Sequence, residues 1–261
     1  MKKPLLDVIF ASEKRKGALL SLKNGPTEIE TLLNHLSTTR AALLPQIRIL
    51  EEHYLVKQTD NAYELTGIGE LIINEIIPLL NTVELFDEEI DYWGTHNIEF
   101  LPTQLLKNLK LLKECKLVKL SLPESYQLNQ DTVKTSFESD SFFVITSFFH
   151  PNYPQVFTEM AQKGVKLNII VTKHVLDIIQ TGHNKIFAGL IQNHSLNLYV
   201  YPEEMGFQVI AFNDYLLLLR LLTNDGDIDI DHMVCSGTDA LQWGEDIFKH
   251  YLKNSTQITE L

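Results

Sequence analysis

Apolar positions along this chain follow two periods. In the first third the spacing is helical, three and four residues apart; in the last half it gives way to short apolar runs, the signature of buried strands. Leu5, Ile9, Leu19 and Leu22 predict a first helical stretch from Leu5 to Leu22, with Lys14, Arg15 and Lys16 among them. Asn24-Gly25-Pro26 stops it. Thr27 is placed to cap a second helix, with Glu30 completing a capping box and Ile29, Leu32, Leu33 and Leu36 as its apolar face. Ser37-Thr38 is a short turn. Thr39 then caps a third helix whose inward face is Leu43, Ile47 and Leu50. The stretch "YLVKQTDNAYELTGIG" reads as a hairpin, Leu55 to Lys57 and Tyr63 to Leu65, turning at Asp60-Asn61. Thr66 opens a long helix from Gly67 to about Tyr92, with a possible bend at Pro78.

A helix over Thr103 to Cys115 follows, with Leu105, Leu106, Leu109 and Leu112 on one side and Lys107, Lys110 and Lys113 on the other. Strands are predicted at Leu117–Leu122, Phe142–Ser147, Val165–Thr172, Leu196–Tyr201, Phe207–Phe212 and Tyr215–Leu222. Helices fall at Asn152–Lys163, His174–Gln180, Asn184–Gln192 and Thr238–Lys253. Asn213-Asp214 marks a hairpin turn between the last two strands. Tyr215 to Leu222 is wholly apolar except for Arg220.

Three helices, a two-stranded hairpin and a further helix is the order of a winged helix-turn-helix, in which the third helix enters the major groove and the hairpin flanks the backbone. The fold class is thus mixed: an α+β head followed by an α/β body. The expected domains are a winged helix-turn-helix over 1–82, a helical linker over 83–116 and an α/β effector or sensor domain over 117–261. On a helical wheel Ala41, Pro45 and Arg48 lie opposite Leu43, Ile47 and Leu50, on the side that would meet DNA. Thr38, Thr39 and Arg40 stand at the N-terminal end, the part that reaches base edges and phosphate. Arg40 or Arg48 suits guanine, and Gln46, on the flank, suits adenine. Lys14, Arg15, Lys16 and Lys57 are candidate phosphate contacts. Pro45 costs roughly 3 kcal/mol in a helix interior, which on an outward face suggests a role in docking.

The net charge of −12 excludes a uniformly basic nucleic-acid binder, but it is uneven. Residues 1–82 carry 9 Lys+Arg against 10 Asp+Glu, and residues 83–261 carry 13 against 24. A nearly neutral head on an acidic body is compatible with DNA binding through the head alone. Glu84, Asp87, Glu88, Glu89 and Asp91 read as solvated surface. No apolar stretch reaches the roughly 20 residues of a membrane span, and the start lacks a signal-peptide core, so a cytoplasmic location is expected. Cys115 and Cys235 form neither a disulfide framework nor a metal site by spacing and read as two buried thiols.

Two sets of residues carry a resemblance. Residues 5–75, through "HLSTTRAALLPQIRILEEHYLV" and "YELTGIGE" with its Leu-Thr-x-x-Gly step, look like an archaeal winged-helix regulator. "FHPNYPQVFTEMAQKGVKLNIIVT", "NDYLLLLRLLTNDGDID" and "ALQWGEDIFKHYL" resemble the effector domain of the methanogen winged-helix regulators, the family of methanogenesis regulators and methanol-specific regulators of methyltransferase genes. The resemblance implies a phospholipase-D-like body, regulation of methanogenesis-related genes, and promoter DNA as partner.

The catalytic equipment of such a body is missing. "HNKIFAGL" offers His183 and Lys185, but Leu190 occupies the position of the required Asp, and "AFNDYLLLLR" lacks His and Lys. No metal pairing, phosphate loop or nucleophile elbow is present, so neither an enzyme nor a cofactor is expected. Two functions remain: a homodimeric transcription regulator whose body senses a small molecule or partner protein, or an acidic protein–protein adaptor that uses the same folds without DNA. His150, Tyr153, Thr172, Asp214 and Arg220, near predicted strand ends, are candidate ligand contacts.

Overall fold

The computed structural model describes residues 3–121 and 123–261. The chain divides into two compact units, Met1–Asn81 and Thr82–Leu261.

In the first unit α1 (Leu5–Phe10) and α2 (Glu13–Ser21) replace the single helical stretch expected over Leu5–Leu22. Ser12 is extended there, and its hydroxyl accepts the Arg15 N–H at 3.4 Å, capping α2. The Thr27 capping box does not form. Thr27 lies in β1 (Thr27–Glu28), paired with Tyr63, and its hydroxyl donates to the Gly25 carbonyl. Strand pairing has absorbed the residue meant to cap, so Glu28 takes the N-cap position and α3 (Ile29–His35) starts one residue later. A turn through Ser37, at φ +45°, leads to α4 (Arg40–Glu52). β2 (Val56–Thr59) and β3 (Ala62–Leu65) form the expected hairpin, and β3 also pairs with β1, giving the order β1-β3-β2. Leu19, Leu32, Leu43, Ile47, Leu50, Leu55 and Ile73 are buried together in one core.

α5 (Gly67–Glu88) starts on the Leu-Thr-x-x-Gly step, and the structure supplies its reason. The Thr66 hydroxyl accepts the Gly69 N–H at 3.1 Å and donates to the Tyr54 carbonyl at 2.5 Å. The Thr66 N–H donates to the Leu55 carbonyl at 3.0 Å. This draws the backbone at Gly69 so close to Leu55 that a Cβ there would stand 2.1 Å from the Leu55 oxygen.

The second unit holds α6 (Ile90–Thr95), α7 (Thr103–Lys107), β4 (Lys116–Val118), α8 (Gln130–Ser136), β5 (Ser141–Thr146), α9 (Tyr153–Gln162), β6 (Lys166–Thr172), α10 (Lys173–Ile178), α11 (Asn184–Gln192), β7 (Leu196–Tyr201), β8 (Phe207–Phe212), β9 (Leu216–Leu221), β10 (His232–Ser236), α12 (Thr238–Lys253) and β11 (Thr256–Ile258). The strands make one mixed sheet in the order β11-β7-β6-β5-β8-β9-β10-β4. β5, β6 and β7 are parallel, joined through helices. The remaining pairings are antiparallel, and β8–β9 is the hairpin expected at Asn213-Asp214. The strand expected over Leu117–Leu122 is shorter, and Leu122 itself lies outside the described residues.

Side chains from both faces of the sheet are buried, which explains the near-continuous apolar runs of its central strands. Leu217, Leu219 and Leu221 pack with Trp243 and Ile247 of α12 and with Leu85, Trp93, Leu105, Leu109 and Leu112. The stretch 83–116, read from sequence as a helical linker, is therefore core of this unit. The helix expected over Thr103–Cys115 stops at Lys107 and gives a 3-10 turn at Leu109–Leu112, and the Trp243 indole N–H donates to the Leu105 carbonyl at 3.1 Å. The reading of two separate thiols is also corrected: Cys115 and Cys235 are bonded to each other across 120 residues. Lys116 pairs with Val234 in the β4–β10 register, which makes the two cysteines cross-strand neighbours.

Candidate functional site

Two places gather the candidate residues, one in each unit. In the first unit α4 buries Leu43, Ile47 and Leu50, while Thr39, Arg40, Ala41, Pro45 and Arg48 are exposed. Pro45 has no N–H to offer the Ala41 carbonyl, and both residues lie on the exposed side. Thr39 occupies the N-cap position, but its side chain makes no capping bond; its carbonyl takes the Ala42 and Leu43 N–H groups instead. Thr39 is exposed next to Arg40. Thr38 is half-buried, its N–H donating to the Leu33 carbonyl.

The other candidates are more engaged. Arg15 donates through Nη1 to Gln46 Oε1 at 2.7 Å, through Nη2 to the Asp7 carbonyl and through Nε to the Val8 carbonyl. Arg15 and Gln46 thus brace α1, α2 and α4. Arg40 pairs with Glu30. Lys16 pairs with Glu13 at 2.8 Å and Lys57 with Glu64 at 3.0 Å. These pairs lie at the surface, partly or fully exposed, and are exchangeable. Lys14 and Arg48 are exposed, with no ion pair among the described residues.

In the second unit a cavity of about 60 Å³ lies on the sheet face formed by β5, β8 and β9, under α8 and α9. Its walls are Val144, Val209, Ala211, Leu218, Phe157 and Met160, and its polar groups include Asn129, Thr132, His150, Tyr153 and Arg220. Of the five ligand candidates read from sequence, His150, Tyr153 and Arg220 meet here. Thr172 and Asp214 are placed elsewhere. Thr172 caps α10 by accepting the Val175 N–H at 3.4 Å, and Asp214 accepts the Asp140 N–H at 2.9 Å beside the β8–β9 turn. Asn129 and Thr132 line the same cavity, and His232 lies against Asn129 and Arg220 at its edge; none of the three has a signal in the sequence, since α8, which carries Thr132, has no strong periodicity and β10 is short.

The cavity's polar groups have unequal partners. His150 is satisfied: Nδ1 accepts the Asn152 N–H at 3.1 Å, and Nε2 lies 3.2 Å from the Tyr126 carbonyl. Burial pushes its pKa below the ordinary histidine value. Burial also pushes the Tyr153 phenol up to about 12. Arg220 Nη2 lies 3.3 Å from His232 Nδ1, and Asn129 Nδ2 donates toward His232 Nε2 at 3.0 Å. A neutral imidazole has one acceptor nitrogen, so it cannot satisfy both donors. Arg220 Nε and Thr132 Oγ1 are buried without any hydrogen-bond partner. No carboxylate among the described residues stands within ion-pair distance of Arg220. Asp229 pairs with His96 at 3.0 Å, and Asp231 accepts the Leu120 N–H at 2.9 Å.

His232 is fully buried, and its pKa is pushed down to about 4, by burial first and then by the Arg220 charge. An unfolded histidine titrates near 6.5. Between those values the unfolded chain binds the extra proton, so stability falls as pH is lowered from about 6.5 to 4. Between pH 7 and 4.5 this group is expected to contribute a loss on the order of 2 kcal/mol. Urea midpoints of the parent and of His232→Gln at the two pH values check it: the variant should lose correspondingly less on acidification.

The chain thus has a first unit with an outward helix face and an α/β second unit with a cavity beside the half-buried Arg220. Comparison with known proteins makes this specific. Residues 125–254 match the family described as the methanogenesis regulatory protein FilR1, middle domain. Residues 6–88 match the HVO_A0261 N-terminal domain. A methanogenesis regulatory protein FilR1 of Methanothrix harundinacea (strain 6Ac) is 22% identical over 260 residues, covering 97% of this chain. The chain spans 58% of that relative's length. The resemblance to archaeal methanogenesis regulators read from the sequence thus holds.

Among solved structures, TrmBL2, an archaeal chromatin protein described as showing a novel mode of DNA binding, superposes with a TM-score of 0.45 at 15% identity, over 97% of each chain. A phosphatidylserine synthase from Haemophilus influenzae Rd KW20 gives 0.36 at 11% identity, over 49% of this chain and 36% of that one. At these scores neither likeness carries an argument. No helix among the described residues is long and apolar enough to cross a membrane.

Proposed function

We propose that the protein is a sequence-specific, DNA-binding transcription regulator of methanogenesis-related genes, and not an enzyme. Its first unit is read as a winged helix-turn-helix, with α4 as the recognition helix and β2–β3 as the wing. Its second unit, the phospholipase-D-like body implied by the resemblance, is read as a sensor of a small molecule or partner protein. The observation that carries the reading is the division of α4: Leu43, Ile47 and Leu50 are buried, while Thr39, Arg40, Ala41, Pro45 and Arg48 are presented together to solvent. Small side chains at Ala41 and Ala42 would let the backbone approach a groove closely.

A homodimer on a palindromic promoter site completes the reading. Ile68, Leu71 and Leu79 of α5 are large apolar side chains left exposed, 51%, 72% and 54% of each, at spacings that suit one helix face. A second copy of the helix would cover them.

The test is a titration of the full chain against DNA from upstream of its own gene and against scrambled DNA, between 50 and 200 mM salt. A site-specific complex that weakens steeply with salt is expected. Equal binding to both DNAs at every salt concentration would sink the regulator and leave the adaptor.

Pro45 gives a second check. Pro45→Ala restores a donor for the Ala41 carbonyl and should stabilise the first unit by about 1–3 kcal/mol. Site affinity or selectivity should change at the same time, because the proline lies on the docking face. Unchanged DNA binding in the stabilised variant would reduce Pro45 to a tolerated irregularity.

A further inference from the structure

We infer that the cavity under α8 and α9 is a binding site for a small organic carboxylate with a short apolar body, held through Arg220. This deepens the sensing half of the proposed function and rests on that reading only in its biological purpose; the binding itself does not require DNA.

Three observations combine. The first is the arginine's setting. β9 reads "LLLLRL", and its register places Arg220 on the same side as Leu218, facing the cavity, while Leu217, Leu219 and Leu221 fill the opposite core. A strand with both sides buried would be more stable with a sixth apolar residue, since a half-buried charge with no carboxylate at ion-pair distance among the described residues is poorly compensated. The second is the excess of donors. Arg220 Nε has no partner, and Arg220 Nη2 and Asn129 Nδ2 both point at one neutral imidazole, which can accept only once. The third is the shape. The other walls are Val144, Phe157, Val209 and Ala211, and the space of about 60 Å³ is several times that needed for one water. A group that supplies two acceptor oxygens and one negative charge, attached to a small apolar body, matches all three features of that environment. A carboxylate meets a guanidinium through two parallel hydrogen bonds. Thr132 Oγ1, buried and unpartnered, adds a further donor. An inorganic anion would fill the charge and leave the apolar walls empty; a neutral apolar ligand would do the reverse.

The test uses the full chain without DNA, so that failure here and failure of DNA binding are separate results. Thermal unfolding is followed with sodium benzoate and sodium hexanoate, with benzamide and hexanamide as neutral counterparts, and with inorganic phosphate, all at matched ionic strength. The carboxylates are expected to raise Tm in a concentration-dependent way that saturates. The amides should bind at least about tenfold more weakly, because they lack the charge that pairs with Arg220. Phosphate should produce no saturable shift.

Arg220→Met should raise the Tm of the ligand-free chain, since it replaces a half-buried cation that has no ion pair among the described residues with an apolar side chain of similar length. It should also abolish the carboxylate shift. Thr132→Val, a milder change that keeps the shape, should weaken the carboxylates several-fold and leave the fold intact. The inference is overturned if neither carboxylate shifts Tm beyond matched chloride, if amides or phosphate bind as well as the acids, or if Thr132→Val and Arg220→Met both retain the full response. A fall in ligand-free Tm for Arg220→Met would also count against it, because that would make the arginine structural.

Discussion

Gly69→Ala is expected to destabilise the first unit by about 3 kcal/mol or more, against the direction that helix propensity gives. Alanine in a helix is normally favoured over glycine by roughly 1 kcal/mol. Here a Cβ would stand 2.1 Å from the Leu55 carbonyl oxygen and 3.1 Å from its carbon. Both are backbone atoms, so no flexible side chain can move aside. That oxygen already accepts the Thr66 N–H at 3.0 Å, and any retreat of Leu55 strains the entry to β2 and the core beneath it. Overpacking against fixed groups costs 1–3 kcal/mol, and more where nothing can yield. Gly67 provides the contrast: nothing lies within 4 Å of a Cβ there. Gly67→Ala should therefore be neutral or mildly stabilising. Hydrogen exchange resolved over residues 3–81 reads both variants. Protection in α4 and β2 should collapse in Gly69→Ala and persist in Gly67→Ala. Equal protection in the two would mean that the close approach at Leu55 does not set the start of α5.

Arg48→Ala should weaken binding to the specific site by about 1–3 kcal/mol and relax the preference at one base pair in each half-site. Arg48 is exposed on α4, beside Pro45, and has no ion pair to break among the described residues. Arg40 must first leave Glu30, so Arg40→Ala should cost less. Lys14→Ala should lower affinity evenly across sequences and reduce the salt slope by about 1, the behaviour of a phosphate contact. Gln46→Ala should act mainly on stability, since the Gln46 side chain holds Arg15 at 2.7 Å. Competition titrations against a series of single-base variants of the site separate these four outcomes. A uniform loss for Arg48→Ala would demote it from base reader to phosphate contact.

Much of the fold is legible from hydrophobic spacing, because burial on one or two sides writes itself into the order of apolar residues. α4 with its inward Leu43, Ile47 and Leu50, the β2–β3 hairpin and the strands β5 to β9 are of this kind. What escapes is set by partners far apart in the chain. Thr27 has the chemistry of a cap, but pairing with Tyr63 takes it into a strand. Arg15 looks like a phosphate contact until Gln46, 31 residues on, occupies it. Cys115 and Cys235 show no spacing pattern, yet the β4–β10 register makes them neighbours.

The candidate sites divide in the same way. Arg220 is conspicuous because it interrupts an apolar run, and the structure places it in the cavity with His150 and Tyr153. Thr172 and Asp214 follow from the expectation that ligands gather at strand ends. In this sheet the cavity lies on a face, between side chains of β5, β8 and β9, and the strand ends are used for capping and turning. Thr132 shows no signal in sequence, since its significance is a hydroxyl left without a partner.

The most direct measurement of the central proposal is selection of binding sites by the full chain from a pool of randomised duplexes. Recognition through α4 of a dimer should enrich a palindromic motif whose half-sites are about 10 base pairs apart, centre to centre. Arg48→Ala should enrich the same spacing with the preference lost at one position per half-site. No enriched motif, with all duplexes retained equally, would contradict it, as would the same motif recovered from the parent and from a variant with Thr39, Arg40 and Arg48 all replaced by alanine.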